Sequence, residues 1–378
     1  MTPCSFCPPN MPTPLSTGPA APARGQPRII PLLRGIVLLS GLLSLFVHAD
    51  VLREQQRQYV AEYQRTQGAL AQPAGPALAA LLAQHAGTAT VYDTLSARAG
   101  LVALTKTYDT VSLPMAAVIN DDVDLGGHRI PVRIYRPTLT GAPGVLFFIH
   151  GGGHLSGSVE VYDPVARHLA AATGNTVIAV DYRRAPENPY PEGLTDSREV
   201  LLRAYSILDK HRIAYQRQLT LVGDSGGGAF SATLAEDFQT TRPGYINRLI
   251  LIYPSLDYTL SWPSVKENGQ GKLLDETKIR WYFDQYFQHG ESRRAASPLY
   301  RQVSKTFPTT LLFSGGLDPL RDEDFAFVAR LQALGVPVKQ VHFSRVVHAY
   351  LMLESLVPEE VKATYQAIGD FVRAARVQ

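Results

Sequence analysis

From Pro114 onward, apolar runs of strand length alternate with stretches of helical period. Ala117–Leu125 and Ile130–Tyr135 read as two strands joined by a hairpin at Gly126-Gly127. Val145–Ile149 is apolar at every position, which marks a strand buried on both faces. Val159–Thr173 then reads as a helix, Thr176–Asp181 as a strand, Ser197–Leu208 as a helix and Gln218–Val222 as a strand. Arg248–Tyr253, Thr310–Phe313 and Val338–Phe343 are further strands. Glu323–Leu334 is a helix closed by Gly335 with Pro337 just beyond, and Pro358–Val377 is the last helix. Strands alternating with helices predict an α/β fold, a mostly parallel central sheet flanked by helices.

Two regions break this rhythm. In front of it, Asp50 to Gln72 is polar and helical in period, Ala77–His85 reads as a second helix and Asp93–Lys106 as a third. This front part carries no obvious chemistry, and is either a lid or plain helical packing. Further on, about 55 residues separate the strand ending at Tyr253 from the one starting near Thr310. They include Trp262, Trp281, Tyr282, Phe283, Tyr286 and Phe287, with Asp275–Gln288 reading as an aromatic-rich helix.

The first 49 residues differ from everything after them. Nine of the 27 prolines fall before residue 32, a density that argues against a folded unit. Basic residues follow, then an uncharged apolar run from Gly35 to Val47, then Val47-His48-Ala49. Small residues three and one before a cut after Ala49 fit an export signal. The apolar run of about 13 residues is short of the roughly 20 that span a bilayer, so no stable span is expected in the mature chain. An uncleaved membrane anchor is the alternative. Cys4 and Cys7 both lie here, so the remainder has no disulfide framework. The formal charge of +3 comes from Arg24, Arg28 and Arg34, with no acid in this segment to offset them. The rest is balanced and offers no basic surplus for nucleic acid.

The chemistry sits where a strand meets a helix. Leu219-Thr220-Leu221-Val222 runs into Gly223-Asp224-Ser225-Gly226-Gly227 and then a helical stretch from Ala229. This G-x-S-x-G pattern between strand and helix is that of a nucleophile elbow, which exposes one serine at a sharp turn. A serine hydroxyl needs a base beside it, and the base needs an acid to orient it. His348 follows the last strand and is the candidate base; His342 competes but lies inside the strand pattern. Asp318 follows the strand before it and is the candidate acid. Asp322, Glu323 and Asp324 compete, but sit in a helix's first turn, where acids offset the dipole without further function. The order Ser…Asp…His is that of α/β-hydrolases. The Gly-Asp-Ser-Gly-Gly string of serine proteases would need the serine last, on a β-barrel. After the buried strand comes His150-Gly151-Gly152-Gly153. Gly152 and Gly153, with Gly226, are candidates for three backbone donors to an oxyanion. No P-loop or dinucleotide fingerprint accompanies these glycines.

Taken together, these residues resemble the hormone-sensitive-lipase-like family of α/β-hydrolase esterases, over about Asp93 to Val377. The resemblance rests on His150-Gly-Gly-Gly153, Asp181-Tyr-Arg-Arg-Ala-Pro-Glu187, Gly223-Asp-Ser-Gly-Gly227, Tyr253-Pro254, Ala296-Ser-Pro-Leu299, Asp318-Pro-Leu-Arg-Asp322 and His348. It implies Ser225, Asp318 and His348 as a catalytic triad and Gly152, Gly153 and Gly226 as the oxyanion hole, with no metal and no cofactor. It also implies a helical cap, giving an N-terminal cap segment over 50–110 and a catalytic domain over 111–378 with a cap insertion at about 256–297. The acyl pocket would lie under Trp281 and its neighbours. Gly226 stands where the family usually has Ala, and His154 replaces a common aromatic beside the hole. These departures bear on substrate preference. His150 is expected to orient its loop, and Asp181–Glu187 to hold a loop by ion pairs.

The expected activity is a serine carboxylesterase on short-to-medium acyl esters, with a small-molecule ester as its partner. An amidase or formamidase would use the same machinery. A receptor on this fold is a third reading, and the presence of His348 weighs against it. Oligomeric state and physiological substrate are not written in the sequence.

Overall fold

The computed structural model describes residues 32–85, 92–109 and 111–374. Met1–Ala49 and Asp50–Gln378 form separate units, and the sheet belongs wholly to the second. The proline-rich stretch with Cys4 and Cys7 lies outside the described residues. Among the described residues, no helix is long and apolar enough to cross a membrane.

The elements run α1 (Leu32–Gln67), α2 (Pro76–His85), α3 (Thr94–Tyr108), β1 (Ala117–Asp124), β2 (Arg129–Arg136), β3 (Val145–Ile149), α4 (Asp163–Thr173) and β4 (Thr176–Val180). Then come α5 (Glu192–Leu202), α6 (Ala204–Lys210), β5 (Leu219–Asp224), α7 (Ser225–Thr241), β6 (Arg248–Ile252), α8 (Pro263–Asn268), α9 (Glu276–Tyr286) and α10 (Arg293–Ala296). The chain closes with β7 (Thr309–Gly315), α11 (Arg321–Ala333), β8 (Val338–Phe343) and α12 (Pro358–Arg373). In place of the single helix expected over Ser197–Leu208, two short ones meet at Arg203.

Among the described residues the strands form one sheet in the order β1-β2-β4-β3-β5-β6-β7-β8. The β1–β2 hairpin and the β2–β4 pair are antiparallel, and every other pair is parallel. Strands β3 to β6 are buried throughout. Their alternate side chains therefore feed two cores. Phe147, Ile149 and Leu221 point into one, shared with Phe230 of α7 and Phe327 of α11. Phe148, Val222 and Ile250 point into the other, shared with Leu169 of α4 and Ile368 of α12.

This topology decides where a site can form. After β3 the chain places β4 on one side and β5 on the other. The loops leaving β3 and β5 therefore diverge and leave a crevice at their carboxyl ends, the general ligand position in such sheets. The His150–Gly153 loop leaves β3, Ser225 leaves β5, Asp318 follows β7 and His348 follows β8.

The front segment divides. Residues 50–67 of α1 do not line this crevice. Tyr59 and Tyr63 pack on Phe325 of α11, and Tyr63 also meets His342 of β8. The following residues run beside β8, with Gln72 N–H donating to Ser344 O at 2.8 Å. α3 does reach the crevice. Arg98 locks it there, donating to Leu155 O and Ala185 O, each at 3.0 Å, and pairing with Glu187 at 2.7 Å.

Candidate active site

The turn from β5 into α7 is held by close backbone contact. A side chain on Gly227 would sit 2.0 Å from Ile149 O, and one on Gly223 would sit 2.2 Å from Gly227 O. Only glycine fits at either position. Between them Ser225 is forced to φ 50°, a conformation that costs a non-glycine residue free energy and collects at functional sites. The result is a hydroxyl lifted off the sheet edge.

His348 meets it. Ser225 Oγ lies 2.8 Å from His348 Nε2, and His348 Nδ1 lies 2.8 Å from Asp318 Oδ2. An ionised carboxylate only accepts, so Nδ1 carries the proton and Nε2 is left to accept from the serine. Asp318 is wholly buried and His348 is 6% exposed, so the His348–Asp318 bond is shielded from competing water. The acid is fixed from two sides. Leu320 N–H donates to Asp318 Oδ1 at 2.8 Å, and Asn268 Nδ2 donates to Asp318 O at 2.9 Å. Asn268 comes from α8 in the long insertion, so the insertion helps to position the acid as well as covering the crevice. His342, the rival base, bonds Ser314 Oγ and Leu70 O within the β7–β8 edge, away from the serine.

Two of the rival acids have work of their own. Glu323 Oε1 accepts from Leu256 and Asp257 N–H at 2.6 and 3.1 Å, and Asp322 Oδ2 accepts from Ser264 N–H at 2.9 Å. They tie the insertion to α11 and are buried. The expectation that they only offset the helix dipole, without further function, is thus corrected for Asp322 and Glu323.

On the opposite side of Ser225 lies the glycine loop. Gly152 and Gly153 have φ 106° and 63°. The Gly152 carbonyl takes the Leu155 and Ser156 amides, leaving the Gly152 and Gly153 amides outside that turn. Gly226 lies in the first turn of α7, where amides have no intrahelical acceptor. Asp224 joins loop to elbow. Its Oδ1 accepts from Gly151 N–H at 2.7 Å and its Oδ2 from Tyr162 Oη at 3.2 Å. Burial pushes its carboxyl up to about 6, against the lowering effect of the Gly151 amide. His150 bonds Gly151 O at 2.8 Å and stacks on Tyr182. It is oriented within the loop and does not face the serine's proton.

His154 follows the loop at φ 62° and is completely enclosed. Its ring is sandwiched between Phe230 and Tyr286, with centroids 4.6 and 4.1 Å away, and its Nε2 lies 3.1 Å from Tyr258 Oη. Burial drives its pKa down to about 3, so the ring is neutral. The ring also explains Gly226. A Cβ at that position would lie 3.1–3.3 Å from the His154 ring and backbone nitrogen. The two departures from the family pattern are one packing solution.

A cavity of about 320 Å³ opens above the serine. Its walls include Leu101 and Leu104 of α3, Leu274, and Lys278, Tyr282 and Phe283 of α9, with Met352 beyond His348. Trp281 is a correction. It does not line the cavity, but stacks on Tyr92 at its rim with centroids 5.8 Å apart. One step along a helix turns a side chain by about 100°, and that step puts Tyr282 inside. Among the described residues, no cluster of three or more His, Cys, Asp or Glu is placed to hold a metal.

The sheet order and the elbow define an α/β-hydrolase, and a family model described as alpha/beta hydrolase fold matches residues 146–352. Relatives include an ethyl acetate hydrolase of Pseudomonas putida, 33% identical over 62% of this chain and 75% of its own length. Esterase LipI of Mycobacterium tuberculosis is 32% identical over 68% of this chain and 81% of its own. Among solved structures, an esterase of Pyrobaculum calidifontis superposes with a TM-score of 0.73 at 27% identity, over 79% of this chain and 98% of that one. The chain belongs to the hormone-sensitive-lipase-like family of α/β-hydrolase carboxylesterases.

Proposed function

We propose that this protein hydrolyses carboxylic esters of short-to-medium acyl chains through an acyl-enzyme on Ser225. The observation that carries this is the unbroken line Ser225 Oγ–His348 Nε2 and His348 Nδ1–Asp318 Oδ2, at 2.8 Å each, on a strained elbow beside a glycine loop. Ser225 attacks the ester carbonyl as His348 takes its proton. The Gly152, Gly153 and Gly226 amides receive the oxyanion. His348 returns the proton to the departing alkoxide, then activates the water that frees the acid. Asp318 holds the Nδ1–H tautomer and balances the imidazolium while it exists. The cavity volume supports the limit on acyl length, since acyl and alcohol parts share about 320 Å³.

A fluorophosphonate probe tests the nucleophile, with peptide mass spectrometry locating the adduct. Labelling at Ser225, with turnover of p-nitrophenyl esters that falls off for long acyl chains, is the expected result. Absence of both labelling and turnover overturns the reading. The apolar run ending at Val47-His48-Ala49 supports a further proposal, export with cleavage after Ala49. N-terminal sequencing of the exported protein should then begin at Asp50.

A further inference from the structure

One wall of the cavity carries a charge that ester hydrolysis does not use. Lys278 lies on α9 one turn before Tyr282, and both line the cavity. The Tyr282 ring rests on the glycine loop, since a Cβ on Gly153 would lie 2.7 Å from it. Lys278 Nζ lies 5.9 Å from the centre of the same ring. The ammonium is thus separated from the loop by one aromatic ring and roughly one helical turn, about 5.4 Å along α9.

Among the described residues, no carboxylate lies within 4.0 Å of this ammonium and no acceptor bonds it. Lys272, in the stretch between α8 and α9, bonds Asn268 Oδ1. Asp275, three residues earlier, is the acid whose field reaches it, and its Oδ1 is engaged by Gly271 N–H at 2.9 Å. Burial holds the Lys278 ammonium below the ordinary lysine range, and the field of Asp275 opposes this without closing an ion pair. A cation partly withdrawn from water and left unpaired carries a desolvation cost. It becomes favourable when a ligand brings the missing oxygen, as a charge-assisted hydrogen bond.

We infer that Lys278 selects esters carrying a second, anionic group, a carboxylate a few carbons from the scissile carbonyl, as in the half-esters of short dicarboxylic acids. This rests on the esterase reading above. Among the other lining residues, Leu101, Leu104, Leu274 and Met352 are apolar and Asp275 is acidic. Without Lys278, a carboxylate would therefore be rejected there. A neutral acyl chain of equal length makes no use of the ammonium, so the preference is a difference between two substrates.

The test uses the full-length protein and two esters of one acyl length, monoethyl glutarate and ethyl pentanoate, followed by acid release at about pH 7.5, where the glutarate carboxyl is ionised. The readout is the ratio of kcat/KM for the anionic ester over the neutral one. Using a ratio cancels any general damage to the site. The ratio should fall about tenfold in Lys278→Gln, fall further in Lys278→Glu and survive in Lys278→Arg. A change of less than about threefold in Lys278→Gln overturns the inference. Should Lys278→Gln not fold, the wild-type ratio decides alone, a value above one supporting the inference and a value below one overturning it. Hydrolysis of ethyl pentanoate without the charge preference would sink this inference and leave the esterase reading standing. Failure to hydrolyse either ester would remove both.

Discussion

The floor of the cavity and its roof are held by different means. On the floor, Ser225, His348 and Asp318 sit on loops leaving the sheet, and each is fixed by buried bonds or by backbone contact too tight for any residue but glycine. In the roof, α3 is anchored at Arg98, but its meeting with α9 is light. Tyr92 Oη lies 3.0 Å from Thr277 Oγ1 in an exposed contact, and Tyr92 stacks on Trp281. Exposed polar contacts of this kind contribute little each, and the segments they join are the first to open locally. The floor is thus preorganised for chemistry, while the roof sets which acyl groups enter and how fast products leave.

The largest effects should come from the floor. Ser225→Ala should lower kcat/KM on p-nitrophenyl butyrate by about 10,000-fold or more while leaving the melting temperature within a few degrees. Asp318→Asn should cost about 1,000- to 10,000-fold, because an amide cannot hold the Nδ1–H tautomer in the same way. Its fluorophosphonate labelling should slow in parallel. An Asp318→Asn variant as active as the wild type would show that the buried line of bonds is not what drives the serine.

Next comes the join between floor and roof. Gly226→Ala places a methyl group 3.1–3.3 Å from His154. Neighbours must shift by a few tenths of an ångström at the oxyanion loop, so kcat should fall about tenfold and stability by about 1–3 kcal/mol. His154→Ala should relieve that clash at the expense of its own cavity. The double variant should therefore be more stable than the sum of the singles predicts, by on the order of 1 kcal/mol. Simple additivity would mean that the two residues do not share one packing solution.

Asp224 links the two sides of the oxyanion loop and gives a pH test with a defined sign. Its folded-state pKa of about 6 lies above the ordinary aspartate value of 3.8. Between those values the folded state holds more protons than the unfolded one, so stability falls as pH rises from about 4 through about 6. Asp224→Asn keeps an acceptor for Gly151 N–H but removes the titration. Relative to wild type it should gain stability across that window, by an amount on the order of 1–3 kcal/mol, and show no such gain below about pH 4. Chemical denaturation at a series of pH values measures this, and parallel wild-type and variant curves would refute it.

What the sequence shows follows the same division. The strands over the floor carry unbroken apolar runs, so Val145–Ile149 matches β3 to the residue and the other parallel strands agree to within one or two positions. Ser225, Asp318 and His348 stand at strand ends in a fixed order, which a linear pattern can display. The roof is harder because it depends on helix phase. Aromatic residues stand at 281, 282, 283, 286 and 287, so no single stripe marks the inner face, and Trp281 is the natural but outward choice. Asp224 and Asn268 act across 73 and 50 residues of chain. No local spacing reveals such pairings, although the acid between Gly223 and Ser225 stands in plain view. The break at Arg203 also has no glycine or proline to announce it.

The smallest effect should come from the outermost roof contact. Tyr92→Phe removes only the hydroxyl facing Thr277 and keeps the ring on Trp281. An exposed hydrogen bond contributes about 0.5–1.5 kcal/mol at most, so the melting temperature should move by no more than a few degrees. Its effect on turnover is the sharper measurement. If the roof opens for product release, loosening this contact should raise KM about two- to threefold for a medium-chain ester while kcat holds or rises slightly. Tyr92→Ala, which also loses the stacking on Trp281, should exaggerate the same pattern. A fall in kcat with KM unchanged would instead place Tyr92 among the groups that stabilise the transition state. The separation between a rigid floor and an adjustable roof would then fail at its outer edge.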